Sequence, residues 1–178
     1  MEGFMSTEEL ITKIGRVALQ NDHYSGCSQA VLGALQSELG IGDAESFRAA
    51  TTLSGGVARR GETCGALLGA LLGLGLVCGR DDMKDTAAYG HAVDEAQAVI
   101  EDFKAALQAR FAITSPLSTT LCRDIQTQIF GRFFEMANDE DRQAFLDAGG
   151  HADNKCPLVC ATAAEVAARK ILALRQNL

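Results

Sequence analysis

Six cysteines, Cys27, Cys64, Cys78, Cys122, Cys156 and Cys160, stand in a chain of 178 residues, and no two form a Cys-x-x-Cys pair. That spacing argues against thioredoxin-like sites and zinc ribbons, which are built on such pairs. The chain is also long enough to bury a core without disulfide struts. Its thiols therefore read as soft metal ligands, redox couples or core fillers. Their positions narrow the choice. Cys27 follows Gly26 at the expected start of a second helix, and Cys64 follows a glycine-rich loop. Cys122 lies in the first turn after Pro116, and Cys156 precedes Pro157, where a last helix opens. At helix starts, unpaired N–H groups and the positive end of the dipole favour thiolate over thiol, so the expectation is four cysteines with lowered pKa. Cys78 falls at a helix end and reads as a bystander. Against this stands the ordinary behaviour of free cysteine, which is among the most buried residue types and can simply fill small gaps.

The loop before Cys64, Ser54-Gly55-Gly56-Val57-Ala58-Arg59-Arg60-Gly61-Glu62-Thr63, is the second feature. Gly55, Gly56 and Gly61 suit positive φ angles and close backbone approach, and Arg59 and Arg60 add charge. The segment could face an anion, a thiolate, the sulfides of a cluster or a substrate carboxylate. No Gly-Lys-Ser/Thr follows, so it is not a nucleotide P-loop. With Gly65 these residues make a candidate cofactor-binding set: Gly55, Gly56, Arg59, Arg60 and Gly65. His23, one turn before Cys27, reads first as a surface or capping residue and second as a base or metal ligand. His91 and His151 read as ordinary histidines.

The elements that must position these groups are helical. Hydrophobic residues make up 47% of the chain and aromatics only 6%, with 28 alanines, two prolines and no Trp, a composition for helices packed through small side chains. Ser6-Thr7-Glu8-Glu9 forms a capping box for helix one, to about Gln20. A second helix runs from Cys27 to Gly40, and a third from an Asp43 cap to about Thr52. The apolar helix from Cys64 to Val77 is too short to span a membrane. A long amphipathic helix follows from about Asp85 to Ala112, then one from Ser118 or Thr119 through Met136, interrupted at Gly131. A short helix runs from Asp139 to Ala148, and the last opens at Pro157. The expected fold is all-α, a single-domain bundle of about seven or eight helices over residues 1–178. Gly65, Gly69 and Gly73 recur every four residues, a stripe for close approach of another helix or of a second copy across a dimer axis. Net charge is −7, which argues against nucleic acid. Met1 to Leu10 show no basic leader or apolar run, so the expected location is cytoplasmic.

Gly26-Cys27-Ser28-Gln29-Ala30-Val31, Gly61-Glu62-Thr63-Cys64-Gly65-Ala66-Leu67-Leu68-Gly69-Ala70, Leu121-Cys122-Arg123-Asp124 and Lys155-Cys156-Pro157-Leu158-Val159 together resemble the C_GCAxxG_C_C family, described as redox-active from its cysteines. The resemblance covers about residues 25–171. It implies four characteristic cysteines, Cys27, Cys64, Cys122 and Cys156, as redox-active thiols and as ligands if a metal is held. Related domains accompany electron-transfer modules, which brings in an iron–sulfur cluster and an unidentified redox partner. Cys78 and Cys160 look additional to the four, although Cys160, four residues after Cys156, could face the same centre as a resolving thiol. Any enzyme activity would be of the oxidoreductase type. Three functional classes follow: a redox centre working by electron transfer or thiol–disulfide exchange, a zinc-holding structural or interaction protein, and a helical module with inert core thiols.

Overall fold

The computed structural model describes residues 5–176, in which eight α-helices and one 3-10 turn pack into a single bundle: α1 (Thr7–Asp22), α2 (Cys27–Leu39), α3 (Ala44–Ala49), the 3-10 turn (Ala50–Leu53), α4 (Gly65–Cys78), α5 (Thr86–Arg110), α6 (Cys122–Phe130), α7 (Asp139–Asp147) and α8 (Cys156–Gln176). The all-α expectation holds. Local signals explain most boundaries. Ser6 and Glu9 close the capping box of α1, Asp43 caps α3, and Gly40 in left-handed conformation ends α2. Three boundaries differ most from the sequence reading. The helix expected to open at a Ser118 or Thr119 cap begins at Cys122 instead, behind Leu121 and without a side-chain cap. The helix expected to reach Met136 stops at Phe130, because Gly131 adopts φ 77° and the Thr127 carbonyl accepts its N–H. The helix expected to reach Thr52 leaves the α conformation at Ala49 and finishes as a tighter 3-10 turn.

The centre of the bundle is α8, whose Val159, Cys160, Ala163, Ala164, Ala167, Ala168 and Ile171 are buried between α1, α2, α4 and α5. Alanine is what permits this. A helix surrounded on several sides needs small side chains for its neighbours to reach it, and each partner then supplies the larger groups. These are Ile11 and Ile14 from α1, Leu35 from α2, Leu67 and Leu74 from α4, and Val99, Phe103 and Leu107 from α5. Each such side chain contributes about 1.5–3 kcal/mol by leaving water.

The glycine stripe of α4 is filled from within the chain. A Cβ on Gly69 would collide with the Ser28 carbonyl, and one on Gly73 with the Leu35 side chain, both on α2. The stripe is therefore occupied by α2 and is not open to a second copy, contrary to its dimer reading. Gly69→Ala is expected to cost about 1–3 kcal/mol, the usual scale of overpacking. Gly75→Ala, where nothing lies within 4 Å, should instead gain about 0.5–1 kcal/mol from helix propensity. Urea unfolding of the two variants, which lie on the same helix, checks the pair.

Between α6 and the start of α4 the chain forms a clasp. Thr63 and Leu121 make an isolated antiparallel bridge, with no strand elsewhere among the described residues. The Cys64 N–H donates to the Thr120 carbonyl at 2.8 Å, and the Cys122 N–H to the Glu62 carbonyl at 2.6 Å. Arg123 reinforces it, its Nε donating to the Gly61 carbonyl at 3.0 Å while its guanidinium pairs with Glu62. Two cysteines far apart in sequence are thus tied together by backbone.

Candidate functional site

The four cysteines expected at helix starts are there. Cys27, Cys122 and Cys156 are the first residues of α2, α6 and α8, and Cys64 is the N-cap of α4. They line one cavity of about 450 Å³, and Cys160 lines it as a fifth. Cys156 and Cys160 are one turn apart on α8 and present to the same side. Cys64 and Cys160 lie on the buried floor, whereas Cys27, Cys122 and Cys156 keep part of their surface on the cavity. Cys78 is not part of this lining. Its thiol donates to the Leu74 carbonyl at 3.4 Å at the end of α4.

Glycine makes the convergence possible. A Cβ on Gly65 would fall within the radius of Cys27 Sγ, and one on Gly56 would stand 2.6 Å from Cys122 Cβ. Gly56 also has φ 69°, so both its space and its conformation exclude a side chain. Gly55 is in the cavity lining and its backbone N–H is directed to the Cys27 sulfur. Of the expected cofactor set, Gly55 and Arg59 line the cavity, Gly56 and Gly65 bring cysteines to it, and Arg60 is not in the lining. The Gly61 amide does not face an anion, because it donates to the Gly55 carbonyl at 3.2 Å.

The expected lowering of the thiol pKa values is reversed. Cys27 does receive N–H groups from Gly55 and Ser28, and Cys64 from Leu67 and Ala66, each favouring thiolate. Burial outweighs them. It pushes Cys27 up to about 12, helped by the Cys64 thiol and Asp22, and it raises Cys64. Cys122, Cys156 and Cys160 go well up for the same first reason, with neighbouring thiols adding to it. A helix terminus stabilises a thiolate only modestly, whereas desolvation shifts a buried group by several units.

Three further polar residues stand in the lining: Asp22 and Gln126, which the sequence reading left unremarked, and His151, which it took as an ordinary histidine. Asp22 is buried at 1% exposure, and its Oδ2 lies 3.2 Å from His151 Nδ1. Gln126, also buried, accepts the Phe134 N–H at 3.1 Å through Oε1 and turns Nε2 toward Cys122 Sγ at 3.8 Å. Asp22 carried a usable signal: it lies four residues after Ala18 on the Ile11, Ile14, Ala18 face of α1, an acid in register with a buried stripe. His23, the expected candidate, instead pairs through Nε2 with Asp153 Oδ1 at 2.8 Å on the surface. The Asp22 hydrogen bond is the main cause of a raised His151 pKa, opposed by burial. Stability from a raised histidine is fully present below its unfolded value of about 6.5 and is lost as pH climbs through the folded value. Urea unfolding from about pH 5.5 to 7.5, below the range in which unfolded thiols ionise, should show this decline in the native sequence and a flatter profile in His151→Gln.

Five thiols around one cavity is a soft donor set. Among the described residues, however, no three His, Cys, Asp or Glu side chains converge to grip a single metal ion. The family described as "Putative redox-active protein (C_GCAxxG_C_C)" matches residues 25–170. The chain belongs to this family. The matched span runs from just before Cys27 to near the end of α8 and so includes all five cavity thiols of this C_GCAxxG_C_C protein. No curated protein and no solved structure matches the chain. Among the described residues no helix is long and apolar enough to cross a membrane.

Proposed function

We propose that Cys27, Cys64, Cys122 and Cys156 form one redox centre and that the group they hold is an iron–sulfur cluster. The observation that carries this reading is the meeting of four cysteines from four helix starts on a single cavity. Buried thiols with raised pKa values are poor nucleophiles at neutral pH, which disfavours direct thiol–disulfide exchange. Metal binding removes that obstacle, because coordination displaces the thiol protons. A group larger than one ion suits donors that ring a cavity without meeting at a point, and this ranks a cluster above a single zinc.

When bound, such a cluster supplies a one-electron redox couple. The chain's own residues do the rest. The clasp fixes Cys64 against Cys122, Gly65 lets Cys27 in, and the Gly55 and Ser28 N–H groups offset negative charge on the Cys27 sulfur. Ile125, Val159 and Phe145 line the cavity with apolar surface and limit water. Because loading must release protons from thiols, it should strengthen as pH rises.

Anaerobic purification of the full chain from cells with active cluster assembly tests the proposal. The expected result is a brown protein containing iron and acid-labile sulfide, with visible absorbance that bleaches on reduction. A colourless, iron-free protein overturns the cluster. Stoichiometric zinc in its place would favour the structural metal reading, and loss of two thiols on mild oxidation would favour a dithiol couple.

A further inference from the structure

We infer that the mouth of the thiol cavity is a binding site for a small organic anion with an apolar body, its charged group held by Arg59. The cavity is two-ended. Its floor carries the buried Cys64 and Cys160, while its rim is made by the exposed Ser25, Thr51, Thr52, Ala58 and Arg59. Most of the chain's 16 Lys and Arg side chains have an ion-pair, hydrogen-bond or aromatic partner. Arg59, like Arg16, Arg60 and Lys84, has none among the described residues, but of these four it alone stands in the lining of the thiol cavity. In a chain of net charge −7, which repels anions generally, an uncompensated guanidinium at a cavity mouth is a selective feature.

The backbone that holds Arg59 there is costly. Gly55, Gly56, Val57, Ala58 and Arg59 run consecutively at φ between 50° and 69°. Three of them carry side chains, and each such residue costs about 1–2 kcal/mol in this region. The segment is pinned by its own amides: those of Val57, Ala58 and Arg59 donate to the carbonyls of Leu53, Thr52 and Ser54. Those N–H groups are consumed internally, so recognition of an anion falls to the Arg59 side chain. The walls beyond it, Ile125, Met136, Phe145 and Val159, are apolar, which calls for a hydrocarbon or aromatic body attached to the anion. A guanidinium binds carboxylate and phosphate alike through paired N–H donors, so the two share one proposal and are separated by experiment.

The ligand would share the walls of the cavity that the proposed centre occupies, so the test is run on the same protein both with and without metal loading. Isothermal titration of the anaerobic full chain compares benzoate and phenyl phosphate with the neutral benzamide. The expected result is saturable binding of at least one anion, about tenfold or more tighter than benzamide. Arg59→Gln should abolish that preference, Arg59→Lys should retain part of it, and Arg60→Gln, outside the lining, should leave it unchanged. Equal binding of benzoate, phenyl phosphate and benzamide would overturn the inference, as would no binding of either anion. So would an unaltered preference in Arg59→Gln, or an equal loss in Arg60→Gln. Iron content, followed in the same samples, reports separately on the redox reading.

Discussion

Gly65→Ala is expected to destabilise the fold and to deprive the cavity of Cys27 at once. The new methyl would enter the space of Cys27 Sγ and would stand 2.9 Å from the Leu53 carbonyl oxygen and 3.2 Å from Ser54 Cα. The sulfur could swing away, but the two backbone atoms belong to the 3-10 turn and the loop it feeds, and they cannot yield cheaply. The cost should lie near the top of the usual overpacking range of about 1–3 kcal/mol, only partly offset by the helix propensity of alanine. For a chain of this size each kcal/mol lowers Tm by about 2–4 °C. Calorimetry measures the fall in Tm, and iron content measures the loss of the centre. A variant with unchanged Tm and unchanged loading would contradict the close approach of α2 to α4.

The second large effect separates the cavity thiols from the remaining one. Cys64→Ser keeps the size of a nearly isosteric side chain while replacing a soft ligand with a hard, weakly acidic hydroxyl. Loss of an outer-shell partner alone commonly lowers metal affinity about 10- to 100-fold, so loss of a ligand from a four-thiol centre should weaken its affinity at least that far and leave iron occupancy clearly below that of the native sequence. Cys78→Ser should leave it unchanged, because Cys78 lies outside the cavity and spends its thiol on the Leu74 carbonyl. Parallel iron and sulfide assays decide between the two. Equal loss in both variants would mean that the effect comes from folding and not from the centre.

Much of this was legible in the sequence because its signals are local. Ser6 with Glu9, Asp43, Gly40 and the residues around Pro157 each mark a helix end by their own chemistry, so the placement of four cysteines at helix starts could be read without a structure. The stripe Gly65, Gly69, Gly73 announced a close neighbour, but which neighbour is a tertiary fact. Only packing shows that α2 fills it, with Ser28 and Leu35 against the glycines. The thiol pKa values were misread for a related reason. The helix-terminus effect is visible in sequence and small, whereas desolvation is large and depends on what surrounds the site. His151 was passed over because nothing within its neighbourhood in sequence announces Asp22, which reaches it from the end of α1. Asp22 itself could have been noticed as an acid on an apolar helical face. The clasp joining Glu62 and Thr120 to Cys122 and Cys64 lay beyond sequence reading, since one bridge leaves no periodic trace.

Cys27, Cys64, Cys122 and Cys156 are proposed to act as one redox centre. An optical redox titration of the anaerobically purified chain, repeated with each of these cysteines changed singly to serine, tests it most directly. A single reversible one-electron wave is expected in the native sequence and in Cys78→Ser, lost or profoundly diminished in all four variants. A native protein without any redox-linked absorbance would contradict it, and so would a wave that survives unchanged when any of the four cysteines is replaced.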